Sequence, residues 1–331
     1  MWLRLRLLPC LLLLGCGAPS APAPVAAAPT APAPDPAPVV IPGTFAPHAG
    51  PDGNSVVLDA PRGLIVVDTG RHLAHQEALL AHARAVGKPI AVIVNTHWHL
   101  DHTGGNAELL AAFPDAEVVA TPAIDGALAG FFPDSRARGA AFLASDRGTP
   151  AQRDEVARDL AAIDDPAALR PTRPITRSGP VDLAGRTVEL RVAPFAATEA
   201  DLWIVDEPSH TVIAGDLVVA SVPFLDTACA AGWRAALADV DAVPFTRLVP
   251  GHGAPMTHAE FATWRAAFDG LLDCAASAAP TADCVAGWDR AAAAFIPVDD
   301  AERTDQMLTY YVDERLRAAD EQARYCAPLG G

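Results

Sequence analysis

Short apolar runs closed by turn or polar residues dominate the chain from residue 53 onward. Ser55–Leu58 and Gly63–Val67 have the length and composition of strands, the second closed by an Asp68-Thr69-Gly70 turn. His72–Val86 sets Leu73, Leu79, Leu80 and Val86 among alanines, which predicts a helix stopped by Gly87 and Pro89. Ile90–Val94 is a continuous apolar run of strand length, the pattern of a strand buried on both faces. Helix-like stretches follow, such as Ala151–Ile163 between Pro150 and Pro166. Strands then resume at Val181–Leu183, Arg186–Val192, Leu202–Val205 and Thr211–Ala214. This order predicts a layered α/β fold. From His258 onward the chain reads as helical, with Phe261, Trp264, Phe268, Leu271 and Leu272 at helical spacing and a later run from Arg303 to Arg324. Those aromatics are core-facing stripes rather than a cofactor box. The chain carries no internal repeat.

The first 15 residues place Arg4 and Arg6 before an apolar run, the build of a secretory signal. Leu13-Leu14-Gly15-Cys16 resembles the lipobox of bacterial lipoproteins, which implies lipid attachment at Cys16. Residues 16–37 are then an Ala/Pro-rich tether, semi-rigid because such a composition favours extended conformations. The expected location is the cell envelope, with the chain held to a membrane by its N-terminal lipid.

Charge narrows the partners. The formal net charge is −16 and Lys88 is the single lysine, which argues against nucleic acid as a partner, since phosphate neutralisation needs clustered Lys and Arg. Beyond Cys10 and Cys16 there are four cysteines, and an even number in an exported chain favours disulfides. Cys274 with Cys284 would close a short loop between helical segments, and Cys229 with Cys326 would staple the tail to the body. Three connectivities remain open.

The chemistry sits just after the Ile90–Val94 run. His97-Trp98-His99-Leu100-Asp101-His102 puts three imidazoles and a carboxylate in six positions at a strand end. His97 and His99, two apart on extended backbone, point the same way and can share one metal; Asp101 and His102 on the following turn reach a second. Imidazole with carboxylate suits Zn²⁺.

In these residues the chain resembles the metallo-β-lactamase superfamily. Ala214-Gly215-Asp216-Leu217 is similar to the family's strand-end aspartate that bridges two metals, and Pro250-Gly251-His252-Gly253 to its last metal histidine. The resemblance covers residues 38–257 and implies a four-layer αβ/βα sandwich, followed here by a C-terminal helical extension over 258–331. It also implies one or two zinc ions held by His97, His99, Asp101, His102, Asp216 and His252.

One motif departs from the family. Where a His-Thr-x-x-Asp segment supplies a further histidine, this chain has Ala197-Thr198-Glu199-Ala200-Asp201. The set Asp101, His102, His252 and Asp216 is then complete, whereas His97, His99 and Asp216 lack a ligand unless Glu199 swings in. The resemblance implies metal-assisted hydrolysis of a small-molecule ester, lactone, β-lactam or similar bond. In that scheme a zinc-bound water, its pKa lowered toward neutrality, is the nucleophile and Asp101 orients it. The rival is a non-catalytic metal-binding lipoprotein in which position 197 marks decay. Phe224, Trp203 and Trp233 are candidates for a pocket wall or for core, and the C-terminal helices for a cover over the cleft or a dimer surface.

Overall fold

The computed structural model describes residues 37–45 and 50–327. Cys16, the signal segment and nearly all of the tether lie outside those residues. Among the described residues no helix is long and apolar enough to cross a membrane.

The first sheet runs in sequence order through β1 (Val39–Ile41), β2 (Ser55–Ala60), β3 (Gly63–Val67), β4 (Ile90–Val94), β5 (Glu117–Ala120) and β6 (Arg173–Pro174). It is antiparallel up to β3 and parallel from there on. The second comprises β7 (Gly179–Leu183), β8 (Arg186–Pro194), β9 (Ala200–Asp206), β10 (Thr211–Val219) and β11 (Arg247–His252), with only β10 and β11 parallel.

Helices cover the outer faces. They are α1 (Leu73–Val86), α2 (Leu100–Thr103), α3 (Asn106–Ala112), α4 (Ile124–Ala129), α5 (Phe131–Ala144), α6 (Pro150–Ile163) and α7 (Pro166–Leu169) before the second sheet. Later come α8 (Ala230–Asp241), α9 (His258–Ala275), α10 (Thr281–Ala291), α11 (Ala301–Tyr311) and α12 (Ala319–Tyr325).

Period-two alternation decides which side chain enters which layer. Ile65 and Val67 of β3 point inward and meet Ile204 and Ile213 of the second sheet. Their neighbours Leu64 and Val66 point outward against Leu79, Leu80 and Leu109 of α1 and α3. On the far side Val212 and Ala214 join Leu237, Phe261, Phe268 and Leu308. Strands buried on both faces read as continuous apolar runs, which is why β3 and β4 show no alternation in sequence. The result is the expected four-layer αβ/βα sandwich. Each fully buried Ile or Leu contributes about 1.5–3 kcal/mol to it.

Two boundaries differ from expectation. β10 continues past Ala214 to Val219, because Gly215 at φ 53° makes a bulge that keeps the strand paired with β11 while inserting Asp216. The predicted Arg303–Arg324 run divides into α11, a π-helical turn over Val312–Leu316, and α12. Arg317 holds that break, donating to the Ala275 and Ala279 carbonyls. Trp203 and Trp233 are core residues.

Three indoles fasten the outer helices to the chain that carries Asp216. Trp233 donates to the Leu217 carbonyl, Trp264 to that of Val219 and Trp288 to that of Ser221. Disulfides join Cys274 to Cys284 and Cys229 to Cys326, the pairing set out above.

Candidate metal centre

The strand ends of both sheets converge on one spot, and hydrogen bonds aim the side chains there. Asp68, at φ 59° just past β3, donates its backbone N–H to the Val94 carbonyl of β4. Its carboxylate accepts from the Thr96 backbone N–H at 2.8 Å and from the Thr96 hydroxyl at 2.7 Å. The same carboxylate lies 2.8 Å from His102 Nδ1. Asn95 donates to the His102 carbonyl and exchanges bonds with Asn106, which holds the start of α3 to the loop.

Those bonds assign the ring protons. Thr96 gives its one hydroxyl proton to Asp68, so at 3.1 Å from His97 Nδ1 it accepts, and His97 Nε2 keeps a lone pair. His102 donates from Nδ1 to Asp68, which leaves Nε2 for the site. Thr227 does the same for His99. Its hydroxyl proton goes to the Ala197 carbonyl at 2.9 Å, so at 3.1 Å from His99 Nε2 it accepts and His99 Nδ1 carries a lone pair.

His97 Nε2 and His99 Nδ1 therefore face each other at 2.9 Å with no proton to share. Asp216 Oδ2 is 3.7 Å from His97 Nε2. Around the other nucleus His102 Nε2 and His252 Nε2 are 3.2 Å apart, and Asp101 Oδ2 lies 3.0 Å from His252 Nε2. Asp216 Oδ1 stands between the two groups, 3.1 Å from His102 Nε2 and 3.4 Å from His252 Nε2. It is buried without a hydrogen-bond partner among the described residues. Lone pairs converging on an orphaned carboxylate oxygen need a positive centre, and two sets of three donors, His97/His99/Asp216 and Asp101/His102/His252, are each compact enough to hold a divalent cation. Gly251 permits the approach, since a Cβ there would stand 2.0 Å from Asp216 Oδ1.

Electrostatics agree with the geometry. Burial first, then the neighbouring His102 and His99, push His97 well below the ordinary imidazole range, and burial holds His99 at about 4. Both are neutral, the state that ligates. Burial also pulls on His102, but Asp216, Asp101 and Asp68 more than offset it and raise its pKa. The carboxylates thus demand positive charge among them, from a proton or from a metal cation.

The missing histidine is not replaced by Glu199, whose carboxylate instead accepts from the Trp98 indole at 2.8 Å. Thr227 fills the space beside Ala197, a residue to which the motif offers no clue. Phe224 lies against His99, with ring centres 5.1 Å apart. It lines a cavity of about 820 Å³ that reaches His99, Asp101, Asp216 and His252. Phe295 and Met307 line the same cavity, so the C-terminal segment covers the cleft.

The family model of the metallo-beta-lactamase superfamily matches residues 49–262. Among curated proteins, the atrochrysone carboxyl ACP thioesterase of Passalora fulva is 40% identical over 65 residues, 19% of this chain and 20% of that one. The hydroxyacylglutathione hydrolase of a Synechococcus strain is 48% identical over 48 residues, 14% of this chain and 19% of that one. The matches thus span about a fifth of either relative. Among solved structures, the stereoselective inverting sec-alkylsulfatase Pisa1 of Pseudomonas sp. superposes with a TM-score of 0.53 at 16% identity, covering 84% of this chain and 50% of that one. With the ligand-like cluster at the strand ends, the sandwich around it and the family match over most of the described body, the chain belongs to the metallo-beta-lactamase superfamily.

Proposed function

We propose that the protein is a zinc-dependent hydrolase of a small-molecule ester, lactone, β-lactam or similar bond. The carrying observation is the pair of inward lone pairs on His97 and His99, together with His102 Nε2 and His252 Nε2 gathered around the orphaned Asp216 oxygen. Nitrogen and carboxylate donors in these numbers suit zinc. Bound there, zinc supplies a nucleophile from water at neutral pH and polarises the bond to be cleaved.

The chain's own residues do the rest. Asp101 opens onto the cavity and is held well below the ordinary carboxylate range: burial opposes this, and His102 and His252 outweigh it. It is ionised, and so able to orient a water and take its proton. Asp68, Thr96 and Thr227 keep the imidazole protons on the outer nitrogens. Phe224, Leu100 and Val222 exclude bulk water from one side of the cavity.

Elemental analysis after purification without chelator, combined with an ester, lactone and β-lactam panel, tests the reading. The expected result is at least one zinc per chain, activity lost on chelation and restored by zinc, and a drop of about 10²–10⁴-fold in Asp101→Asn. No metal uptake even with zinc supplied, or turnover indifferent to chelation, refutes it. Metal uptake with no turnover on any of the panel returns the chain to the metal-binding, non-catalytic alternative. The proposal also places the protein in the cell envelope, tethered through Cys16. Labelling with a palmitate analogue in wild type and its loss in Cys16→Ser is the expected result, and equal labelling of both overturns that placement.

A further inference from the structure

The cavity over the cluster is more apolar than a site for a compact polar substrate requires. Phe131 lines it beside His99, with ring centres 6.3 Å apart, and further lining comes from Val156, Leu160 and Ile163 and from Phe295 and Met307. Phe131 belongs to α5 and the three aliphatic residues to α6, whereas Phe295 and Met307 belong to the chain around α11, beyond residue 262 where the family match ends. Both arginines that line the cavity are already committed. Arg303 is paired in bidentate fashion with Asp300 and stacks over the Phe45 ring at 4.4 Å, and Arg71 lies 3.4 Å from Asp159. An anionic group on the substrate's tail would have to compete with Asp300 for Arg303 and with Asp159 and Glu155 for Arg71, while an apolar tail would find aromatic and aliphatic walls.

We infer that the substrate carries an extended apolar chain next to its scissile bond, seated among the side chains of α6 and the Phe295–Met307 segment. This rests on the hydrolase reading for the position of the scissile bond, though the cavity binds the chain whether or not a bond is cleaved. At about 820 Å³ the cavity lies in the upper part of the range of ordinary small-molecule sites, with room for a chain rather than a methyl group. Burial of each CH₂ is worth about 0.8 kcal/mol, or about four-fold in binding or kcat/KM.

The test uses the zinc-loaded protein with p-nitrophenyl acetate, butyrate, hexanoate and octanoate, and, separately, calorimetric binding of 1-butanol and 1-octanol. The expected result is a rise in kcat/KM of about four-fold per CH₂ and an octanol affinity about 10²-fold above that of butanol. Leu160→Trp, which narrows the cavity from α6, lowers both the octanoate-to-acetate ratio and the octanol-to-butanol ratio by ten-fold or more. Esters cleaved equally at every length, with octanol bound no tighter than butanol, overturn the inference and leave the hydrolase reading standing. No ester cleaved at any length, with octanol still bound about 10²-fold tighter and Leu160→Trp abolishing the difference, supports the apolar-chain site and removes the esterase form of the hydrolase reading.

Discussion

Thr227 offers a sharp test of how the cluster is held. Thr227→Val keeps the shape of the side chain and removes the oxygen that accepts from His99 Nε2 at 3.1 Å. The His99 N–H is then buried without an acceptor, at a cost of about 1–3 kcal/mol. The ring escapes that cost by moving its proton to Nδ1, which ends its ability to ligate. Removing an outer partner of a metal-binding imidazole weakens metal affinity about 10–100-fold. The loss should fall on the His97/His99/Asp216 group alone, because the Asp101/His102/His252 group is oriented through Asp68. Competition with a chromophoric zinc chelator measures it, with both affinity and stoichiometry read from one titration. Thr227→Ser keeps the hydroxyl and should stay within about three-fold of wild type, against the 10–100-fold loss for valine. A valine variant binding zinc as tightly and in the same number as wild type, or a serine variant weakened as much as valine, would refute the proton assignment.

Other perturbations reach different parts of the argument. Asp68→Ala removes the acceptor for His102 Nδ1 and two bonds to Thr96, so zinc affinity at the Asp101/His102/His252 group should fall about 10–100-fold in the same titration. Ala197→His forces an imidazole into a fully packed position against Thr227. It should lower stability in urea by about 1–3 kcal/mol with no gain in turnover; a gain in both metal content and rate would mark the native site as crippled. Asp52 is held at about 2 although burial alone would raise it, by hydrogen bonds from the His72 ring and from the backbone N–H groups of His72 and Arg71. A depressed carboxyl stabilises the fold above its unfolded pKa, and that stabilisation disappears as pH falls through the folded value. Asp52→Asn should therefore cost about 1–2 kcal/mol at pH 5, allowing for solvent screening. The gap in urea midpoint should close as pH drops from about 4 toward 2. A gap constant over that range would sink the assignment.

The parts of the site that were legible in the sequence are the local ones. His97, His99, Asp101 and His102 occupy one turn of chain, so their joint geometry follows from backbone direction alone. Asp216 and His252 were legible only through their order after that motif, since an isolated Gly-Asp or Gly-His says little. Asp68 looked like a turn residue, and its grip on His102 depends on β3 and β4 ending side by side. Thr227 was invisible, as its partner lies 128 positions away in sequence. The sandwich was legible because its central strands are apolar on both faces and its helices on one. The course of β10 was not, because a glycine bulge lets a strand continue where propensity says it stops. The C-terminal helices showed their core stripes but not their destination. Phe295 and Met307 face the cavity from a segment whose other side chains, Leu308 and Tyr311, belong to the core.

That destination divides labour between two stretches of chain. The charged floor of the cavity comes from strand ends inside the region shared with the rest of the superfamily, whereas Phe295 and Met307 come from beyond it. A bridge from Cys229 to Cys326 pins this second stretch at its far end, and the Cys274–Cys284 bridge ties together the two helices that precede it. Changes in the roof can accumulate there without disturbing a single donor atom, and a lineage could drift from one substrate shape to another while its reaction stayed the same. For an engineer the same separation means that a library confined to residues 293–307 samples new specificities on an intact chemical core.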